Sequence, residues 1–217
     1  MGRLKYTEEE RKQIMITFIR AAKQVIDREG IKQISIRKIA SLTGMNSATM
    51  YLYFPNVDVL LTMASLGYLE NYCRTLAEDM AEMKSPEDIL EHTWDVFCHY
   101  AFEYPDIFYH IFYEDLPSSL TSIIDDYYRL FPEHLHNIDG PVLEMLREGP
   151  LTERSWKVLW PVVSKQGIPE ANARVANDML VAYFRTLLET RRKTAETEIA
   201  SGELINKMNR ALELVLN

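Results

Sequence analysis

Between Trp94 and Tyr113 the chain concentrates nine of its twenty-three aromatic residues: Trp94, Phe97, Tyr100, Phe102, Tyr104, Phe108, Tyr109, Phe112 and Tyr113. Rings with a few polar handles suit the wall of a small-molecule cavity. The same residues at helical spacing also suit a plain core. Trp94, Phe97, Tyr104 and Phe108 fall on roughly one stripe, broken by Pro105, and both readings stay open for each of them. Trp156 and Trp160 are candidates for an opposite wall. His92, Cys98, His99 and His110 raise the chemistry of a metal site, and His92 and His99, seven apart, share a helix face. A stable zinc site needs three or four ligands including a tight pair, and no such pair stands here. Asp125-Asp126 and Glu114-Asp115 read as solvated faces. Without a phosphate-binding glycine loop, nucleophile elbow or Cys/His dyad, the sequence predicts no enzyme, no metal and no cofactor.

The formal net charge of −8 hides an asymmetry. Residues 1–60 carry ten Lys/Arg and six Asp/Glu, a balance of +4, and the remainder carries −12. A basic head on an acidic body draws a polyanion to one end and repels it elsewhere. The acidic body leans toward neutral or cationic small molecules, although most of that charge belongs on the surface. With 47% apolar and 26% charged residues in a chain of 217, the composition is globular. No apolar run reaches a membrane span, and the acidic start does not resemble a signal peptide. Two cysteines, Cys73 and Cys98, are too few for a disulfide framework and predict reduced thiols in a cytoplasmic protein.

The periodicity is helical nearly throughout. Thr7 and Glu10 form a capping box for a first helix striped by Ile14, Phe18, Ala22, Val25 and Ile26, stopped by Gly30. Ser35 caps a short helix with Ile36, Ile39 and Ala40 inward, and Ala40 lets a neighbour cross closely. Gly44 turns the chain, and Asn46 caps a second short helix reaching about Phe54 before Pro55. Two two-turn helices across a Gly-containing turn make a helix-turn-helix, with Leu52 and Phe54 expected to pack on the first helix. A long helix at 57–83 then joins head to body. Ser85-Pro86-Glu87-Asp88 opens another, and six prolines from Pro117 to Pro169 limit the helices between them. Two closing helices run roughly over 169–192 and 199–216. Val175, Met179, Tyr183 and Leu187 share a face of the first; Leu204, Ile205, Met208, Leu212 and Val215 stripe the second.

Ile34-Ser35-Ile36-Arg37-Lys38-Ile39-Ala40, then Gly44-Met45-Asn46-Ser47-Ala48-Thr49-Met50-Tyr51-Leu52-Tyr53-Phe54, with Asp58 and Leu60, resembles the DNA-binding domain of TetR-type bacterial transcription regulators. Thr49-Met50-Tyr51-Leu52-Tyr53-Phe54 is a near copy of the segment that closes the family's recognition helix. About 50 residues carry the motif; the rest agrees in length and helical character. The resemblance implies an all-α fold, with a three-helix helix-turn-helix head (1–55) and a larger helical effector-binding and dimerisation body (56–217).

It also implies a double-stranded DNA operator as partner. Asn46, Ser47, Ala48 and Thr49 would enter the major groove, with Ser47 and Ala48 against bases. Arg37 would reach a guanine, and Ser35, Thr49, Tyr51 and Tyr53 would hold phosphates. Two departures reduce the phosphate contacts: Val57 and Ser47 stand where basic residues are common, with Arg3 and Lys5 as compensation.

In the body, Trp94, Phe97, Tyr100, Tyr104, Phe108, Phe112 and Trp156 would bind a small, largely apolar or aromatic effector. Val175, Met179, Tyr183, Leu187, Leu204, Met208, Leu212 and Val215 would pair two copies as a homodimer. The expected function is a homodimeric regulator, a repressor released from a near-palindromic operator by its effector. The alternatives are a helical protein-interaction module with a degenerate head, or a helical enzyme using His99 or His110.

Overall fold

A computed structural model describes residues 6–79, 83, 85–116 and 118–216. Among these every regular element is helical. In the head, α1 (Glu8–Glu29) is followed by a 3₁₀ turn at Ile31–Gln33, α2 (Ile36–Thr43) and α3 (Ser47–Tyr51). Each start is set by capping side chains. Thr7 and Glu10 exchange hydrogen bonds as a capping box, Ser35 Oγ accepts from the Lys38 amide, and Asn46 Oδ1 accepts from the Thr49 amide. Phe18, Ile39, Met50 and Phe54 are buried where the three helices meet, with the Phe18 and Phe54 rings edge-on at 6.2 Å.

Gly44 closes α2 at φ +66°, in the left-handed region that a Cβ disfavours. A Cβ there would meet nothing within 4 Å, so the penalty of Gly44→Ala is conformational alone. Urea unfolding is expected to show a loss of about 1–2 kcal/mol. An unchanged midpoint would mean the turn does not need the left-handed state.

Leu52, expected against α1, is 61% exposed. Because α3 ends at Tyr51, the turn after it aims Leu52 outward, and Met50 and Phe54 take the inward positions. The helix expected over 57–83 is two helices, α4 (Val57–Leu66) and α5 (Leu69–Asp79). At the break the Gly67 and Tyr68 amides bond three residues back, to Ala64 and Ser65. Tyr68 turns toward the head, where its hydroxyl bonds Asp27 and its ring meets Tyr104 at 5.0 Å. A single glycine only weakens a helix by about 1 kcal/mol, so these tertiary contacts decide the break.

The body continues with α6 (Pro86–Glu103), α7 (Pro105–Tyr113), α8 (Leu120–Leu130), α9 (Gly140–Arg147), α10 (Leu151–Val163), α11 (Glu170–Lys193) and α12 (Ser201–Leu216). Ser85 and Asp88 cap α6 reciprocally. Helix α6 is central, packed by α5, α10 and α12, and α10 lies between α9 and α11. Proline-rich 118–169 does hold short helices, although α10 runs through Pro161 into its last turn.

The two closing stripes are used differently from the expectation. Leu187, Leu204, Met208 and Leu212 are buried inside the protomer, because α12 lies on α6 and α11. Within the protomer they are core residues. Val215 is half-buried, while Val175, Met179 and Tyr183 face solvent on α11 at 59%, 67% and 38% exposure.

Both thiols are free and buried. Burial pushes the Cys73 thiol up to about 11 and raises Cys98 as well. Because the thiolate is the nucleophile, a disulfide reagent at pH 8 is expected to label neither in the native protein and both in urea. Rapid native labelling of either would contradict this packing.

Candidate functional site

The outer side of the head carries the residues singled out for DNA. Arg37, in the first turn of α2, is exposed and forms no ion pair among the described residues. Lys38 is committed internally, to the Glu29 carboxylate and the Gln33 carbonyl. In the first turn of α3, Ala48 is exposed and Ser47 half-exposed. Asn46 Oδ1 accepts from both the amide and the hydroxyl of Thr49, at 2.9 and 3.0 Å. The Thr49 hydroxyl proton is thus already used, and a phosphate bond through it requires that contact to open. Tyr51 is 52% exposed and Tyr53 half-buried, while Ser35 is engaged as the cap of α2. The expected compensating residues Arg3 and Lys5 lie outside the described residues. Val57 is the first residue of α4, next to Asn56, whose side chain caps that helix.

Helix α4 joins this face to the body. It packs on α1 of the head and on α7 and α8, with Leu60, Met63, Ala64 and Leu66 buried. One polar chain crosses the joint. The buried Thr62 hydroxyl donates to the Asp58 carbonyl at 2.8 Å and lies 3.2 Å from His110 Nε2, whose Nδ1 is 2.7 Å from Glu114. His110 is therefore a tie between α4 and α7. His99 is exposed, edge-on to Tyr100. Among the described residues no group of three or more His, Cys, Asp or Glu is placed to hold a metal.

The aromatic stretch packs around Phe97, whose ring lies 5.1–5.8 Å from those of Tyr72, Trp94, Phe108, Phe112 and Phe184. Of the seven residues expected to bind an effector, Trp94 and Phe97 border an internal cavity, and the Phe108 and Phe112 rings meet that of Phe97. The others point elsewhere. Tyr100 shares a hydrogen bond with Thr75, Tyr104 faces Tyr68 beside the head, and Trp156 stacks with Trp160 and has the Arg174 guanidinium over its ring. Pro105 starts α7 immediately after Tyr104 and turns the stripe there.

The cavity lies between α5, α6, α9 and α10, with Tyr72, Thr93, Met145, Leu151, Arg154, Ser155 and Val158 completing its lining. Its volume is about 20 Å³, room for about one water. Sequence reasoning missed Thr93, Arg154 and Ser155. A signal for the last two was present: Leu151, Arg154, Ser155, Val158 and Val162 follow inward helical spacing, which sets an arginine in a core stripe.

The sequence profile described as bacterial regulatory proteins of the tetR family matches residues 18–62, the segment that holds α2, α3 and the α1 and α4 surfaces beneath them. The likeness to the tetR family is carried by this helix-turn-helix segment. A curated relative, an uncharacterized HTH-type transcriptional regulator of Haemophilus influenzae, is 30% identical over 99 residues, 45% of this chain. That match spans about half, 53%, of the relative's length. The fold of the whole chain has counterparts among solved structures. The TetR-family repressor FadR of Thermus thermophilus, solved with lauroyl-CoA, is 19% identical over 93% of each chain (TM-score 0.57). RolR in complex with resorcinol is 14% identical over 96% of this chain and 94% of its own (TM-score 0.61). FadR of Bacillus subtilis, solved with stearoyl-CoA, is 18% identical over 93% of this chain and 97% of its own (TM-score 0.54). At these identities the likeness is one of fold. It covers 93–96% of this chain and so takes in the helical body as well as the head. No helix among the described residues is long and apolar enough to cross a membrane.

Proposed function

We propose that the chain is a homodimeric DNA-binding transcriptional regulator in the cytoplasm, a repressor released from a near-palindromic operator by a small, largely apolar or aromatic effector. The observation that carries the reading is α4, packed at once on the helix-turn-helix head and on α7 and α8 of the body. A rearrangement of the body would reach the reading face through that helix and through Tyr68 beside it, which touches Asp27 of the head and Tyr104 of the body. The head, residues 1–55, would read bases through Arg37, Asn46, Ser47 and Ala48, with Ser35, Thr49, Tyr51 and Tyr53 on phosphates. The body, residues 56–217, would hold the effector without any catalytic role. The acyl-CoA and resorcinol complexes of similarly folded repressors and regulators support an apolar or aromatic ligand. Release requires that the effector bind the DNA-incompetent arrangement more tightly than the competent one.

Binding to the DNA immediately upstream of the protein's own gene, against a scrambled duplex across a salt series, tests the reading. Preference for the upstream duplex by about a thousandfold or more is expected. Equal, weak binding to both would favour a protein-interaction module with a degenerate head, for which Leu42 and Leu52, 44% and 61% exposed, are the available contacts.

Pairing of two copies rests on Val175, Met179 and Tyr183. Met179→Asp is expected to give monomers in sedimentation and to weaken operator binding by about 100-fold or more, because two linked heads gain that much by effective concentration. A variant that stays dimeric would place the interface elsewhere.

A further inference from the structure

Six buried side-chain polar atoms lack a hydrogen-bond partner among the described residues, and four of them belong to residues that line one cavity. They are Thr93 Oγ1, Trp94 Nε1, Arg154 Nη2 and Ser155 Oγ, on side chains from α6 and α10 that are 1–4% exposed. Buried polar groups are ordinarily paired, so four orphans converging on one space mark a place where a partner is to be supplied.

The chemistry of that partner follows from the four atoms. The indole nitrogen and the guanidinium only donate, and the two hydroxyls are free to donate. Arg154 carries a permanent positive charge into the core, a heavily disfavoured arrangement unless paired. Its Nη1 donates to the Leu146 and Glu148 carbonyls at the end of α9, at 3.4 and 3.0 Å. The Phe112 ring lies 5.4 Å from its Cζ. No carboxylate reaches it among the described residues, since Glu144 and Glu148 are both held by Lys157. Tyr72, also on the wall, is no counter-ion: burial pushes its phenol up despite the nearby guanidinium, and its hydroxyl donates to Met145 Sδ. A carboxylate satisfies this set, because its two oxygens accept several bonds and match the guanidinium fork. The remaining lining is aromatic and aliphatic.

We propose that Arg154, with Thr93, Trp94 and Ser155, forms a buried carboxylate-binding site, and that the effector is a monocarboxylate with an apolar or aromatic body. This rests on the effector reading above and names its ligand class. The −12 balance of residues 61–217 does not oppose it, since most of that charge belongs on the surface, whereas the cavity lining includes a cation. At about 20 Å³ the cavity must open to admit a ligand; Trp94, one of its walls, reports that event.

The test uses the full chain, Trp fluorescence and thermal shift, with benzoate and hexanoate as probes against benzamide and hexanamide, which keep the shape and lose the charge. The carboxylates are expected to saturate, raise Tm and bind about 10- to 100-fold tighter than their amides, the range of a charge-assisted hydrogen bond. Arg154→Met keeps the apolar stem, and its carboxylate preference is expected to vanish. Should that variant fail to fold, Ser155→Ala and Thr93→Val leave the cation in place and are each expected to weaken the carboxylates several-fold while leaving the amides unchanged. Amides that equal the carboxylates in the wild type, or carboxylates that fail to bind at millimolar concentration, overturn the proposal. Operator release keeps the two readings apart. Release by the amides alone sinks the carboxylate site and keeps the effector reading; tight carboxylate binding without release does the reverse.

Discussion

Phe97→Ala is expected to destabilise the protein by about 3–5 kcal/mol, the range for removing a large buried aromatic. Phe97 is 4% exposed and its ring touches five others drawn from α5, α6, α7 and α11. Truncation removes the piece that all five share, and helices held by caps and crossings on every side have little freedom to collapse into the gap. The loss is a sizeable part of a whole domain's stability, about 5–15 kcal/mol. Urea unfolding with an unchanged slope is the measurement. It also separates the two roles open to an aromatic stripe. A loss below about 1 kcal/mol would mean that Phe97 lines an open pocket already in contact with water, since only a packed core leaves the full cavity penalty.

Ala48→Glu is expected to leave the fold intact and to remove specific DNA binding. Ala48 is exposed in the first turn of α3, where a carboxylate faces the positive end of the helix dipole and is favourable by about 0.3–1 kcal/mol. The sign for stability is therefore neutral to positive. Against DNA the sign reverses, because the new charge meets phosphates and a groove of negative potential. Like-charge juxtaposition at an interface costs several kcal/mol, so the upstream duplex is expected to bind about 100-fold or more weakly at equal Tm. Unchanged affinity would take α3 off the interface. A fall in both Tm and affinity would leave the assignment without support, since unfolding alone explains it.

The two substitutions draw on different kinds of legibility. Ala48 was placed by local rules. Asn46 as a cap and Gly44 as a left-handed stop put it in the first turn of a short helix, and each rule concerns atoms three or four residues apart. The same range governs Thr7 with Glu10, Ser85 with Asp88, and Gly30, and these starts and stops stand where the sequence reading put them. Phe97 was singled out for its type and company, but whether its ring walls a pocket or fills a core depends on Tyr72 and Phe184, which come from distant parts of the chain.

Periodicity says that a helix has an apolar face; it does not say what covers it. Met179 and Met208 both lie on apolar stripes of closing helices, yet one is 67% exposed and the other fully buried, because α6 already occupies the α12 face. The helix expected over 57–83 breaks at Gly67, where Tyr68 meets Asp27 and Tyr104 across the joint. Leu52 lost its expected place on α1 because α3 stops at Tyr51, short of the expected end near Phe54.

By itself the amino-acid sequence determined the helical class, the helix-turn-helix with its caps and the basic head, because caps, turns and charge are properties of neighbours along the chain. Only the tertiary structure decided which apolar faces remain open, where the linking helix breaks, and that Arg154 is shut into the core beside three orphaned donors. Burial and the absence of a counter-charge are set by residues brought together from α5, α6, α9 and α10, and no spacing within one segment encodes them.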